Sequence, residues 1–411
     1  MFMSLRRSKF ALIGALGAAI LAIGAAVALA AVPQPSKDPF YAAPVGLAKK
    51  SDGAILRVRE VAVQGPTQLY SDKAYQLLFR SESATGKPIA AVTTVLVPSD
   101  PGAGPRRLLS YQTAEDSLSL KCAPSYTLQE ISAGTTQSSE DLVIALALEK
   151  GWDVDVPDYE GPLSEYAVGP LEGRVTLDGI RAAERFKPAG LPGKATEVGM
   201  MGYSGGSIPS IWANSMARKY APSVHLVGDA VGGIVPDPIE NLAEVNGGIF
   251  AGVIVAASIG VDRAYPSLDL NGLLNATGRK VEATDAVDGD GCSGGVVNSP
   301  LSTVKTLSNY PTVAALEAVP RVRAAFGHLD LINKAPGEAP SYFFNEIHDE
   351  IAVIGPVEQL VAANCRKGAK IEFVKSNTGE HLTGVGVYAL PALDYLASRF
   401  ASQPAPSTCP S

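Results

Sequence analysis

The chain has 411 residues, 46% of them apolar and only 18% charged, with a net charge of −7. Those proportions exclude a disordered chain, and the lack of any Lys/Arg run in the body excludes the basic footprint of a nucleic-acid binder. The length allows one large domain or two ordinary ones. The first ten residues, MFMSLRRSKF, carry Arg6, Arg7 and Lys9, and an uncharged stretch follows from Phe10 to Val32. A basic flank, an apolar middle and the small residues Ala28, Ala30 and Ala31 at the exit predict a signal peptide over residues 1–32, hence export. The run is also long enough to span a bilayer, so a retained anchor is the rival reading. Residues 33–50 hold Pro33, Pro35, Pro39 and Pro44 and read as an extended arm.

Strand-like runs come next: Ala54–Val63, Ala74–Phe79 and the β-branched Ala90–Val97, which stops at Pro98. Strands and helices then alternate. Arg107–Gln112 reads as a strand, Asp141–Lys150 as a helix and Trp152–Val156 as a strand. Leu171–Phe186 is a long helix with Leu177, Ile180 and Ala183 along one side. Glu197–Met201 is a strand, Ser207–Tyr220 a helix and Ser223–Val227 a strand. The alternation lapses between about Pro236 and Pro340, where there are two helix-like pieces, a Gly/Asp-rich loop and no clear strand. It resumes with the strand Ser341–Glu346, a helix at Pro356–Lys367, the strand Ile371–Lys375 and a final helix at Tyr388–Phe400. This order predicts an α/β fold with a mostly parallel sheet flanked by helices. Residues 33–235 and 341–411 form its two parts, and residues 236–340 form an insertion. The apolar run Ile249–Ile259 inside the insertion is too short to cross a membrane. It reads either as a buried helix or as a lipid-facing lid.

Two segments match G-x-S-x-G, the turn that exposes a nucleophilic serine between a strand and a helix: Gly202–Gly206 (GYSGG) and Gly291–Gly295 (GCSGG). Ser204 has both flanks, with Glu197–Met201 before it and Ile208, Ile211 and Trp212 at helical spacing after it. Pro209 is a mild objection, tolerable only in the first helical turn. Ser293 lies among Asp285, Asp288, Asp290 and many glycines, with neither flank. A chymotrypsin-like reading of that second segment is excluded, because Cys292 stands where aspartate is required and the chain is not all-β.

A serine hydroxyl needs a histidine base and an orienting carboxylate, in this fold in the order Ser, Asp/Glu, His. His381 is the sole histidine after the last strand, on the segment Ser376–His381 before the final helix. Asp349 follows the preceding strand and is the expected acid, with Glu350 the alternative. His225, His328 and His348 fall on a strand, in the insertion and ahead of the acid, and are not expected in the site. Four cysteines in an exported chain predict disulfides, with three possible pairings, and nothing in their spacing suggests zinc. Neither a metal nor a cofactor is required.

These residues together resemble the secretory lipase family, exported α/β-hydrolases of the fungal lipase-A type. The resemblance is carried by GYSGG, by Ile347-His348-Asp349-Glu350-Ile351 and by Glu380-His381-Leu382-Thr383. Ser110-Tyr111-Gln112 with Glu115-Asp116, Cys122-Ala123-Pro124-Ser125-Tyr126 and Leu177-Asp178-Gly179-Ile180-Arg181 add to it, so that it runs from about residue 40 to the C-terminus. It implies Ser204, Asp349 and His381 as nucleophile, acid and base, and an oxyanion hole from the amides of Gly205 and Asp116. It implies disulfides Cys122–Cys292 and Cys365–Cys409, and a lid and acyl pocket in the insertion. The proline often found soon after the Asp-Glu pair is missing here. The expected activity is hydrolysis of fatty-acyl esters, a triacylglycerol lipase with a possible lipid interface. A short-chain carboxylesterase or acyltransferase on the same triad is the alternative.

Overall fold

A computed structural model describes residues 32–130, 136–236, 238–287 and 301–410. All but the last residue of the expected signal peptide, together with Cys292 and Ser293, lies outside the described residues.

Apolar runs with β-branched residues become one sheet. Its strands are β1 (Ile55–Val61), β2 (Ser71–Glu82), β3 (Pro88–Pro98), β4 (Arg107–Gln112), β5 (Asp153–Pro157), β6 (Glu197–Tyr203), β7 (His225–Gly232), β8 (Ser341–Glu346) and β9 (Ile371–Ser376). The spatial order is β1-β2-β3-β5-β4-β6-β7-β8-β9. The first three strands and the β3–β5 pair are antiparallel, and every pair from β5–β4 through β8–β9 is parallel. The β4 and β6 strands are buried almost from end to end, as strands covered on both faces must be.

The cover is two helical layers, sorted by the alternation of the strands. Leu109, Tyr111, Met201 and Tyr203 face the layer of α1 (Thr136–Glu149) and α9 (His381–Phe400). Leu108, Val198 and Met200 face that of α2 (Gly169–Arg185) and α3 (Ser207–Tyr220). Between β7 and β8 the chain is helical: α4 (Pro238–Val245), α5 (Gly252–Ala264), α6 (Ala276–Val287) and α7 (Pro320–Leu329), with the short turns Val304–Leu307 and Val313–Glu317. Among the described residues there, only an isolated bridge, Leu274 to Ser308, is β-like. This is more helix than the two pieces the sequence suggested. Several of these helices are too short for periodicity to register, and Thr303 and Thr312 start two of them by capping. After β8 come α8 (Ile354–Arg366) and, after β9, α9.

The largest change of boundary is at the final helix. The final helix begins at His381, seven residues before the expected start. The Glu380 carboxylate accepts from the Leu382 and Thr383 amides while the Thr383 hydroxyl accepts from the Glu380 amide, a reciprocal cap. Gly384 and Gly386 dilute the periodic signal of that first stretch. Of the run Ile249–Ile259, residues 252–259 form the first part of α5, with Val255, Ala256 and Ile259 buried, while Ile249 precedes the helix and is exposed. The Cys365–Cys409 bridge forms, fastening the C-terminal tail to α8 across a 44-residue separation. A loop of that length gives about 4 kcal/mol of stabilisation in the chain-entropy account. Cys122 is fully buried; its expected partner Cys292 is outside the described residues.

Candidate active site

The strand β6 runs straight into α3 through a turn that only small residues permit. Ser204 adopts φ +53°, a left-handed conformation unusual for a side-chain-bearing residue. A Cβ on Gly202 would lie 2.1 Å from the Gly206 carbonyl oxygen, and one on Gly206 would lie 2.0 Å from the Gln112 carbonyl oxygen. Those approaches fix the glycines of the motif by sterics alone. Pro209 is the third residue of α3, so it forfeits no intrahelical hydrogen bond and does not disturb the turn.

The three expected side chains meet. Ser204 Oγ is 2.6 Å from His381 Nε2, and His381 Nδ1 is 2.8 Å from Asp349 Oδ2 and 2.9 Å from Oδ1. Asp349 is itself held, its Oδ1 accepting from the amides of Ile351 (2.9 Å) and Ala352 (2.6 Å). His381 and Asp349 are both buried. A carboxylate at Nδ1 keeps the ring proton there and leaves Nε2 free to accept the serine proton. Glu350, the alternative acid, touches the base differently: its Oε2 accepts from the His381 backbone amide at 3.2 Å. His348 is exposed, His225 is at the exposed start of β7, and His328 stacks on Tyr265 at 4.5 Å. Sequence reasoning missed Tyr203, whose hydroxyl donates to the His381 carbonyl at 2.7 Å. It is the variable position of the motif, so nothing in the pattern marks it.

Asp116 follows β4 in a left-handed turn, φ +43°. The amides on either side are anchored, Glu115 donating to the Tyr159 hydroxyl at 3.1 Å and Ser117 to Glu160 at 3.3 Å. The Asp116 amide donates to no protein group among the described residues. Its side chain packs over the elbow, where a Cβ on Gly205 would lie 1.8 Å from Asp116 Oδ1. Burial pushes the Asp116 carboxyl up to about 6, opposed by the charge of His381.

Ser204, Gly205, Asp116 and His381 line one wall of a cavity of about 420 Å³. The facing wall is apolar and comes from the helices between β7 and β8, including Leu242, Val253, Val255, Ala257, Phe326 and Leu329. The cavity therefore offers a poised hydroxyl to the head of an apolar molecule. Among the described residues no cluster of His, Cys, Asp or Glu is arranged to hold a metal ion.

A family model described as secretory lipase matches residues 128–408. The chain is similar to lipase A of Arthroderma benhamiae, 35% identical over 366 residues that cover 84% of this chain and 76% of that protein. It is similar also to a probable inactive lipase of Mycobacterium tuberculosis, 32% identical over 378 residues, 90% of this chain and 83% of that one. Among solved structures, Candida antarctica lipase A superimposes with a TM-score of 0.86 at 28% identity, covering 92% of this chain and 89% of the other.

Proposed function

The chain belongs to the secretory lipase family and is a carboxylic-ester hydrolase, and we propose that Ser204, His381 and Asp349 carry its reaction as nucleophile, base and acid. Ser204 Oγ attacks the ester carbonyl as its proton passes to His381 Nε2. The amides of Gly205 and Asp116 hold the oxyanion that forms. The tetrahedral species collapses, and the leaving alkoxide takes the proton from His381 to depart as the alcohol. Water, deprotonated by His381, then attacks the acyl-enzyme and releases the acid, restoring the Ser204 hydroxyl. Asp349 keeps the ring oriented and balances the imidazolium in each half.

The observation that carries this reading is the unbroken hydrogen-bonded series Ser204–His381–Asp349, opening at a left-handed serine into an apolar cavity. On the same footing, residues 236–340 act as a cap over a core made of residues 33–235 and 341–411. The substrate is a fatty-acyl ester, with triglyceride the expected natural form, because the wall facing Ser204 is apolar. A lipid surface is the expected setting, in keeping with Leu382, which borders the cavity and is 54% exposed. Export rests on the basic and apolar pattern of residues 1–32 together with the family's secretory character. No helix among the described residues is long and apolar enough to cross a membrane.

One relative bears the name of an inactive lipase, so membership and turnover are separable, and the test is direct. A fluorophosphonate probe is expected to label the wild type stoichiometrically and Ser204→Ala not at all. An unlabelled wild type, or equal labelling of the variant, removes Ser204 as nucleophile. Rates on p-nitrophenyl esters of rising chain length separate a lipase from a short-chain esterase.

A further inference from the structure

The segment that carries His381 is held by a carboxylate that the reaction above does not use. Glu346 is the last residue of β8, paired in register with Ser376 at the end of β9. It is fully buried. Its Oε2 accepts from two consecutive amides, Thr378 at 3.2 Å and Gly379 at 3.3 Å, and its Oε1 lies 3.5 Å from the Thr378 hydroxyl. Among the described residues no lysine or arginine forms an ion pair with it. Burying a carboxylate without a counter-ion is costly, and two amide donors offset only part of that cost. An uncharged side chain would close the same loop with less penalty, so the charge itself calls for an explanation.

The surroundings supply one. The segment entering α9 is pinned at three places: Glu346 at the 378 and 379 amides, Glu350 at the His381 amide, and the Tyr203 hydroxyl at the His381 carbonyl. Gly384, one turn into α9, makes room for this. A Cβ there would meet Glu346 Cγ at 3.1 Å and the Tyr203 hydroxyl at 2.4 Å. The groups set around His381 and the segment that carries it are Asp349 and Glu350 from the turn after β8, Glu380 from its own cap, Asp116 from the β4 loop, the Tyr203 phenol, and Glu346 from β8, which reaches the segment at the 378 and 379 amides. The ionisable side chains among them are acids, so any charge they bring is negative.

We propose that Glu346 is a positioning residue for the base: it fixes the 376–380 segment so that the His381 ring stays in line between Asp349 and Ser204. Its charge also favours the imidazolium that forms when Ser204 gives up its proton. This rests on the triad reading above, and the experiment separates the two. Glu346→Gln keeps the shape and one acceptor oxygen but removes the charge and the second acceptor. With a water-soluble p-nitrophenyl ester, kcat is expected to fall about 10–100-fold with KM within about twofold, the scale of a misaligned reacting group. The acid limb of the kcat/KM profile is expected to move to lower pH, because a less favoured imidazolium gives up its proton earlier. Glu346→Asp keeps the charge on a shorter reach, so it should restore the limb while kcat stays low. It also provides the test if the glutamine variant does not fold. Fluorophosphonate labelling and Tm are read on the same samples. A labelled wild type with kcat in Glu346→Gln within twofold of it overturns the proposal and leaves the triad intact. So does a loss that tracks a fall in Tm with no movement of the acid limb, or a wild-type kcat in Glu346→Asp. An unlabelled wild type overturns both.

Discussion

The two walls of the cavity are built on different principles. On the sheet side the polar atoms of the hydrogen-bonded series are each aimed by a partner. Asp349 is aimed by two amides, the His381 ring is caught between Asp349 and Ser204, and Ser204 sits on a backbone that only close-packed glycines allow. On the helical side, Val255, Phe326 and Leu329 are present as volume. Directional work restricts residue type and spacing and so leaves a motif in the sequence. Volume can be filled by many sequences and leaves none. If the distinction is sound, small changes on the first wall should cost chemistry, and large changes on the second should cost choice of substrate.

Asp349→Asn is the sharpest probe of the first wall. The side chain keeps its size, but an amide nitrogen facing Nδ1 favours the opposite ring tautomer, with the proton on Nε2 where Ser204 needs an acceptor. A loss of roughly 10⁴ in kcat is expected, with KM and Tm nearly unchanged. A loss under about tenfold would mean that the hydrogen-bonded series is not the catalytic one.

Val253→Trp probes the second wall. Val253 is half-buried at the start of α5 and borders the cavity. A tryptophan there shortens the space for an acyl chain without touching Ser204, His381 or Asp349. Hydrolysis of p-nitrophenyl palmitate should fall about 10–100-fold while the butyrate ester stays within about threefold, since apolar pockets discriminate on that scale. Equal losses on both esters would break the comparison, because the helical wall would then be supporting the catalytic geometry.

The same difference decides what could be read without coordinates. The bounds of β4, α3 and β8 match the sequence reading residue for residue, since alternation, helical spacing and prolines mark them. Ser204, Asp349 and His381, whose side chains meet in the structure, were singled out by the order of residue types that such chemistry demands. The start of α9 was not, because its cap is one glutamate–threonine exchange and its first turns carry Gly384 and Gly386. Asp116 was reached only through resemblance to a family. What singles it out is a backbone amide, which has no residue type, and a left-handed turn between two anchored neighbours. Glu346 escaped notice because its partners are also backbone amides, in a segment over thirty residues away. The helical wall was visible only as a lapse in the pattern.

The smallest expected effect concerns stability, and it too divides the two walls. Burial pushes many carboxyls of the sheet side upward, four of them being Glu140 of α1, to about 8, and Asp155, Asp158 and Asp229, to about 7. Glu140 matters locally, since it accepts from the Ala114 amide at 2.9 Å and from the Tyr111 hydroxyl at 3.1 Å, two residues before Asp116 and at the end of β4. In the unfolded chain such groups titrate near 4. From about pH 4 to the range of 7 to 8 the folded state therefore holds more protons than the unfolded one, and stability falls as pH rises. The contribution is complete below that window and lost above it. Tm should be higher at pH 5 than at pH 8, by a few degrees, and Val253→Trp should leave the slope unchanged because none of the four groups belongs to its wall. Glu140→Gln, which removes one titrating group and keeps an acceptor for the Ala114 amide, should flatten the upper part of the curve. A Tm that rises between pH 5 and pH 8 would mean that these carboxyls are ionised in the folded state. The loop bearing Asp116 would then be braced by charge-assisted hydrogen bonds instead of neutral ones.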